Sequence, residues 1–279
     1  MPRYRNIWKS KHQSIALINF YSENLIKVNS LSGFKVNDYL ITDDSALHMK
    51  RYNTVEIRFV QADGNRILAR KTLTREDFLS LIISDAEGED KKDFCVVKID
   101  FREFKEIPSL KLSEESDLSV GQPIITMGYG LSEENLAMKA GHISSFHFKN
   151  QNKYIQFDAS VKQGNAGSPL IDLETGTVIG VIGHNLTEIT QSHKNLEDIL
   201  NKNIQLLKQY QGRLNIDDID PVQVLIANQN QVKYIAREIY SMTNVGTGYA
   251  LPANEINHFF KKNIIMEDAI PSIDALVNF

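Results

Sequence analysis

The stretch Gln163-Gly164-Asn165-Ala166-Gly167-Ser168-Pro169-Leu170 carries the residue types and spacing that bear most plainly on chemistry. A Gly-x-x-Gly turn closed by Ser-Pro is a sharp loop, and it needs glycines for backbone angles that other residues avoid. A loop of this shape can aim two backbone N–H groups at one point, which is how an oxyanion is stabilised in acyl transfer. The turn lies between two strand-like runs, Tyr154–Ala159 and Thr177–Ile182.

The elements that must position this turn are mostly short strands. Ser14–Phe20, Asn24–Val28, Gly33–Val36, Tyr39–Thr42, Thr54–Val60 and Arg66–Thr72 are rich in β-branched and aromatic residues. Turn-prone residues separate most of them, and Asn37-Asp38 reads as a hairpin. Phe94–Asp100, Pro123–Gly128, Ala140–His147, Tyr154–Ala159, Ser168–Leu173 and Thr177–Ile182 follow. Regular short strands with few helices predict a barrel or sandwich rather than alternating βα units. From about Glu188 to Met242 the period changes to 3.6, with Leu196, Leu200, Ile204 and Leu207 on one stripe. Asp220-Pro221 reads as the cap and first position of a second helix, whose stripe is Val224/Leu225, Val232, Ile235 and Ile239. A helical hairpin inserted in a β fold is therefore expected. Gly246–Pro252 returns to a strand pattern, and Ala253–Lys262 reads as a terminal helix.

The chain has 279 residues, 42% of them hydrophobic, and a net charge of −4. That charge excludes the basic footprint of a nucleic-acid-binding protein. No stretch approaches the ~18 apolar residues of a membrane span, so no membrane partner is expected. The basic N-terminus lacks the apolar core of a signal peptide, which leaves a cytoplasmic location as the default. The single cysteine, Cys95, reads as a buried small hydrophobe. His142 and His184 have no partner at metal-ligand spacing, and Asp217-Asp218-Ile219-Asp220 fits a cap and turn rather than a calcium loop. No metal or cofactor is expected.

The turn and its flanks resemble HtrA-like serine proteases of the trypsin-like, chymotrypsin-fold family. Gly164–Leu170 is similar to that family's Gly-Asn-Ser-Gly-Gly/Ser-Pro-Leu signature. Tyr154–Ala159, Gly176–Val181, Ala140–Ser145, Val120–Gly128 and Gly246–Pro252 resemble the segments around it. The resemblance covers roughly Ser14 to Lys262 apart from the helical insert. It implies a mainly β protein of two six-stranded antiparallel β-barrels, with the inserted helical hairpin and a C-terminal helix. The first barrel is expected over 1–110 and the second over 111–279, with the insertion at about 188–242 and no room for a PDZ domain.

The same resemblance assigns the catalytic positions. Asp93, opening Asp93-Phe94-Cys95-Val96-Val97, matches the triad acid. The histidine is due three residues after Thr42, where this chain has Ser45; His48 comes three residues later and is the alternative base. The nucleophile position holds Ala166, which has no hydroxyl and forms no acyl-enzyme. Ser168 is expected to point elsewhere. Gly164 and Ala166 would supply the oxyanion-hole N–H groups, and Ser160 the base of a pocket for small or apolar side chains. Gly180-Val181-Ile182-Gly183-His184 would pair with an extended peptide by strand addition. Two of three triad members are absent, which predicts a pseudoprotease acting as a peptide-binding or regulatory module. The alternatives are a serine endopeptidase whose nucleophile was changed to alanine, with His48 as base, and a structural subunit of a larger assembly. Expected partners are a peptide or protein ligand in the cleft and a protein on the helical insert.

Overall fold

A computed structural model of the chain describes residues 2–49, 51–83, 93–114, 117–130, 133–149, 152–161, 164–183, 188–213, 215–217, 219–243 and 247–264. The chain divides into two compact units, Met1–His184 with Gly246–Phe279, and Asn185–Val245.

The first unit holds two antiparallel sheets. The N-terminal sheet contains β1 (Ile15–Tyr21), β2 (Lys27–Val36), β3 (Tyr39–Thr42), β4 (Thr54–Val60), β5 (Ile67–Thr74), β6 (Ile82–Ile83) and β7 (Cys95–Lys98). Their order is β5-β4-β1-β2-β3-β7-β6. The strand expected at Asn24–Val28 begins only at Lys27, because Ser22–Ile26 form a tight turn closed by Ser22 N–H to Ile26 O at 2.9 Å. Asn37 takes the left-handed conformation (φ 50°) that the Asn37-Asp38 hairpin needs. Phe20, Phe59, Phe78 and Phe104 fill the interior, meeting edge to face, the geometry that aromatic quadrupoles favour.

The second sheet is a closed barrel of six strands in the order β10-β13-β12-β11-β8-β9. They are β8 (Pro123–Gly128), β9 (Ala137–Lys149), β10 (Asn152–Phe157), β11 (Pro169–Asp172), β12 (Val178–Ile182) and β13 (Gly248–Pro252). Ile124, Ile155, Phe157, Leu170 and Ile179 pack at its centre. The expectation of two six-stranded barrels is thus corrected: one barrel closes, and the N-terminal sheet has seven strands with open ends. Closure there needs β5 to pair with β6, but β6 is only two residues long and pairs with β7.

Six α-helices complete the described residues: α1 (Pro2–Lys11), α2 (Ser45–His48), α3 (Arg75–Ser80), α4 (Glu188–Lys208), α5 (Pro221–Thr243) and α6 (Ala253–Asn263). No described helix is long and apolar enough to cross a membrane. The terminal helix α6 lies where it is expected. It brings Phe259 against Phe94 and Phe260 against Tyr39, tying the end of the barrel segment to the N-terminal sheet. The second unit is the antiparallel pair α4 and α5. Asp220 Oδ1 accepts the Val222 N–H at 2.9 Å, as an N-cap before Pro221 should. The apolar stripe read from the spacing of α5 is not its less exposed side. Leu225, Val232, Ile235 and Ile239 are about half exposed, while Val222, Ile226, Lys233 and Ala236 are the less exposed side.

Asp172 fixes the hairpin that follows the glycine turn. Gln122 Nε2 donates to its Oδ2 at 2.6 Å, and its Oδ1 accepts from Glu174 N, Thr175 N and Thr175 Oγ1. Burial alone would raise its pKa, but these donors outweigh it and hold the carboxyl below its ordinary value. A carboxylate depressed on folding stabilises the native state above its unfolded pKa of ~3.9, and that contribution is lost as pH falls through the lower native value. Asp172→Asn should therefore cost about 1–3 kcal/mol at neutral pH. The gap from the parent chain should narrow as denaturant titrations are moved below about pH 4.

Candidate active site

The turn Gly164–Ser168 is held from three sides. Gly164 and Gly167 have φ of 98° and 84°, in the region where a Cβ is strained. A Cβ on Gly167 would also strike Ser32 O, Thr42 Oγ1 and Asp43 N, so the turn lies directly on the middle of β2 and the end of β3. Ser32 fastens it there. Its N–H donates to Ala166 O at 3.0 Å, and its hydroxyl donates to Gly164 O at 2.8 Å while accepting Tyr129 N–H at 2.9 Å. Asn165 is buried. Its Nδ2 donates to Tyr129 O and its Oδ1 accepts from Lys139 Nζ, each at 2.9 Å. Ser168 N–H to Asn165 O closes the turn, and Gly167 N–H reaches Ile182 O on β12. Among the described residues, the N–H groups of Gly164 and Ala166 donate to no protein acceptor. Two unpaired N–H groups on a braced turn are what an oxyanion or carboxylate cradle requires.

The methyl of Ala166 is buried and packs into the hydrophobic cluster of the N-terminal sheet. Ser168 is fully buried with its Oγ against Gly128, so it faces away from the turn's open side. Ser45 begins α2 just beyond β3. Its N–H donates to Asp43 Oδ1 at 3.0 Å, and its Oγ is buried without a partner among the described residues. His48 lies at the other end of this one-turn helix. Its side chain is 66% exposed, with Nε2 3.8 Å from Asp44 Oδ2 rather than near Asp93.

Asp93 precedes β7, whose Cys95 is level with Thr42 of β3, so Asp93 and Ser45 lie at the same end of the sheet. A Cβ on Gly183 would sit 3.7 Å from Asp93 Cβ, which brings the end of β12 to the same place. The ligand of Asp93 is one that sequence reasoning missed. Tyr154 Oη, from β10, donates to Asp93 Oδ2 at 2.6 Å. Burial, the hydrogen bond to Asp93 and its charge together push the Tyr154 phenol well above its ordinary pKa. A buried tyrosine hydroxyl needs a polar partner, and Tyr154 is not among the barrel-core residues that include its strand neighbours Ile155 and Phe157.

The expected peptide-pairing strand is only partly free. Gly180 pairs with Leu170 on one side and Pro252 on the other, and Val181 with Pro169 and Leu251. Ile182 pairs with Ala250 and exchanges bonds with Gly167 and Ser168. An added strand therefore finds no free edge over Gly180–Ile182, and at the next residue Gly183 N–H reaches Tyr249 O at 3.2 Å. His184, Gln163, Asp218 and Gly246 lie outside the described residues. Ser160 is half-buried beside Ala159, which belongs to the barrel core. His142 is near Asp158, with Nδ1 3.8 Å from Oδ2.

Comparison with known proteins agrees with this architecture. A model of the Trypsin-like peptidase domain family matches residues 31–181, more than half of the chain. Human "Serine protease HTRA4" is 29% identical over 176 residues, covering 60% of this chain and 33% of that protein. A "Probable periplasmic serine endoprotease DegP-like" from Hahella chejuensis is 33% identical over 126 residues, covering 44% of this chain and 25% of that protein. The chain therefore spans a third or less of the length of these curated relatives. Among solved structures, the active form of the Rv3671c protease from M. tuberculosis matches with a TM-score of 0.54 at 16% identity, over 95% of this chain and 87% of that one. That is a likeness of fold.

The turn's seat makes a sharp prediction. Gly167→Ala combines a disfavoured φ with backbone atoms that cannot move aside. It should lower unfolding free energy by about 3 kcal/mol or more in guanidinium titrations. Gly121→Ala, at a positive φ but with open space around it, should cost only about 1 kcal/mol.

Proposed function

We propose, from the premise that this chain belongs to the trypsin-like peptidase domain family, that it is a pseudoprotease whose cleft holds a peptide segment without cutting it. The observation that carries this reading is the 2.6 Å bond from Tyr154 Oη to Asp93. In a working triad the acid orients an imidazole that takes the nucleophile's proton. Here the carboxylate faces a phenol instead, the position expected for the imidazole is Ser45, and the position expected for the hydroxyl is a methyl.

What supports a binding role is the other half of the site. The unpaired N–H groups of Gly164 and Ala166 suit a carbonyl or a terminal carboxylate. Ser160, a neutral residue at the expected pocket base, suits a small or apolar side chain over a basic one. Gly183 is the described residue along which an extended ligand would lie.

The test is covalent labelling with a fluorophosphonate probe, alongside peptide binding by fluorescence anisotropy. Neither the parent chain nor Ala166→Ser should label. The triple variant Ser45→His/Tyr154→Phe/Ala166→Ser should begin to, because it restores hydroxyl and imidazole and frees the acid. Gly183→Val, whose Cβ would lie 3.7 Å from Asp93 Cβ, should weaken the best peptide at least about tenfold. Labelling of Ala166→Ser alone would instead revive the endopeptidase reading with His48 as base, and peptide cleavage by the purified parent chain would end the pseudoprotease reading.

A further inference from the structure

The helical unit carries a second apolar stripe on each helix. On α4 it is Leu196, Ile199, Asn203 and Leu206, continued by Tyr210 in the turn that follows; on α5 it is Leu225, Asn228, Val232, Ile235 and Ile239. Spacing alternates three and four residues on both, the repeat of a coiled-coil seam. Each stripe lies one position before the residues through which the helices pack together. Ile199 precedes the buried Leu200, and Asn203 and Leu206 precede the half-buried Ile204 and Leu207. On α5, Val232 and Ile235 precede Lys233 and Ala236 in the same way.

One residue back is a turn of about 100° around a helix. Because α4 and α5 run in opposite directions, that step carries both stripes to the same side of the pair. Register agrees. Arg237 donates to Glu197 at 2.6 Å and Lys233 to Asn201 at 2.7 Å, so Asn203 is level with Gln231, next to Val232 at the middle of the α5 stripe. The two stripes form one face with a common centre. None of its ten residues is charged, and its eight apolar side chains are between 38% and 57% exposed.

We infer that this face is covered by the same face of a second copy, giving a two-fold four-helix bundle. Three features of the face favour a copy of itself over an unrelated partner. It has no charge to complement. It has one polar residue per stripe, Asn203 and Asn228, within a turn of the shared centre, where a two-fold contact brings asparagines against asparagines; a single buried Asn is how such seams fix register and number. And the exposed area of the face is on the order of 800 Å² per copy, the size of a standard stable interface.

The experiment uses the full chain. Sedimentation equilibrium at about 100 µM should give twice the 31.7 kDa chain mass. Leu206→Glu/Ile235→Glu should give monomer, with association weakened at least about 100-fold and helical circular dichroism unchanged. Gln205→Glu, off the face, should remain a dimer. Asn203→Leu/Asn228→Leu should associate more tightly but with mixed stoichiometry, which also serves if the double glutamate variant fails to fold. A monomeric parent chain, or a dimer that survives Leu206→Glu/Ile235→Glu, overturns the proposal. A monomer whose melting temperature drops in the same variant means the chain covers its own face, and overturns it too.

Discussion

The fit of Gly167 against Ser32 O, Thr42 Oγ1 and Asp43 N is the contact on which the arrangement of the site depends. No side chain fits between the turn and these strands, so the two sheets can meet there only backbone to backbone. Ser32 then satisfies groups that this approach would bury unpaired: Gly164 O, Ala166 O and Tyr129 N–H. Each such group left without a partner costs about 1–3 kcal/mol. The shape of the turn is therefore set by packing and hydrogen bonding, with no contribution from a triad hydroxyl. This explains how the turn keeps its shape around an alanine.

The other half of the site follows from the cost of a carboxylate at a sheet junction. Asp93 has Asp43 and Asp44 in the same neighbourhood, and the nearby Cys95 thiol is pushed up by burial and by both of those charges. Tyr154 gives it a hydrogen-bond donor, and that bond, with burial, keeps the phenol protonated. The pair is stable without any proton transfer, whereas a general base must exchange protons in every cycle.

Much of this was legible in the chain. The glycine turn, the strand rhythm, the Asp220-Pro221 helix start and the terminal helix are local patterns, and local patterns survive into the structure. The number of strands in the first sheet was not legible, since closure depends on whether the two-residue strand Ile82–Ile83 meets Ile67–Thr74, a long-range pairing that no local pattern encodes. Nor was the partner of Asp93. Tyr154 is one aromatic among many in a strand, and only the closed barrel puts its hydroxyl beside that carboxylate. Gly180–Ile182 read as a strand correctly, but whether either of its edges is open is again a matter of neighbours.

The insert teaches the opposite lesson about periodicity. Its α5 stripe is visible in the chain, yet the side less exposed in the helical pair is the weaker pattern, Val222, Ile226, Lys233 and Ala236. A helix in a two-helix unit can bury only one strip against its neighbour, and here that strip is partly polar: Lys233 and Arg237 meet Asn201 and Glu197. The more apolar strip is then left to a different contact. A sequence that places its strongest hydrophobic repeat away from the intramolecular seam, free of charge and with one amide on each helix, encodes an association rather than a core.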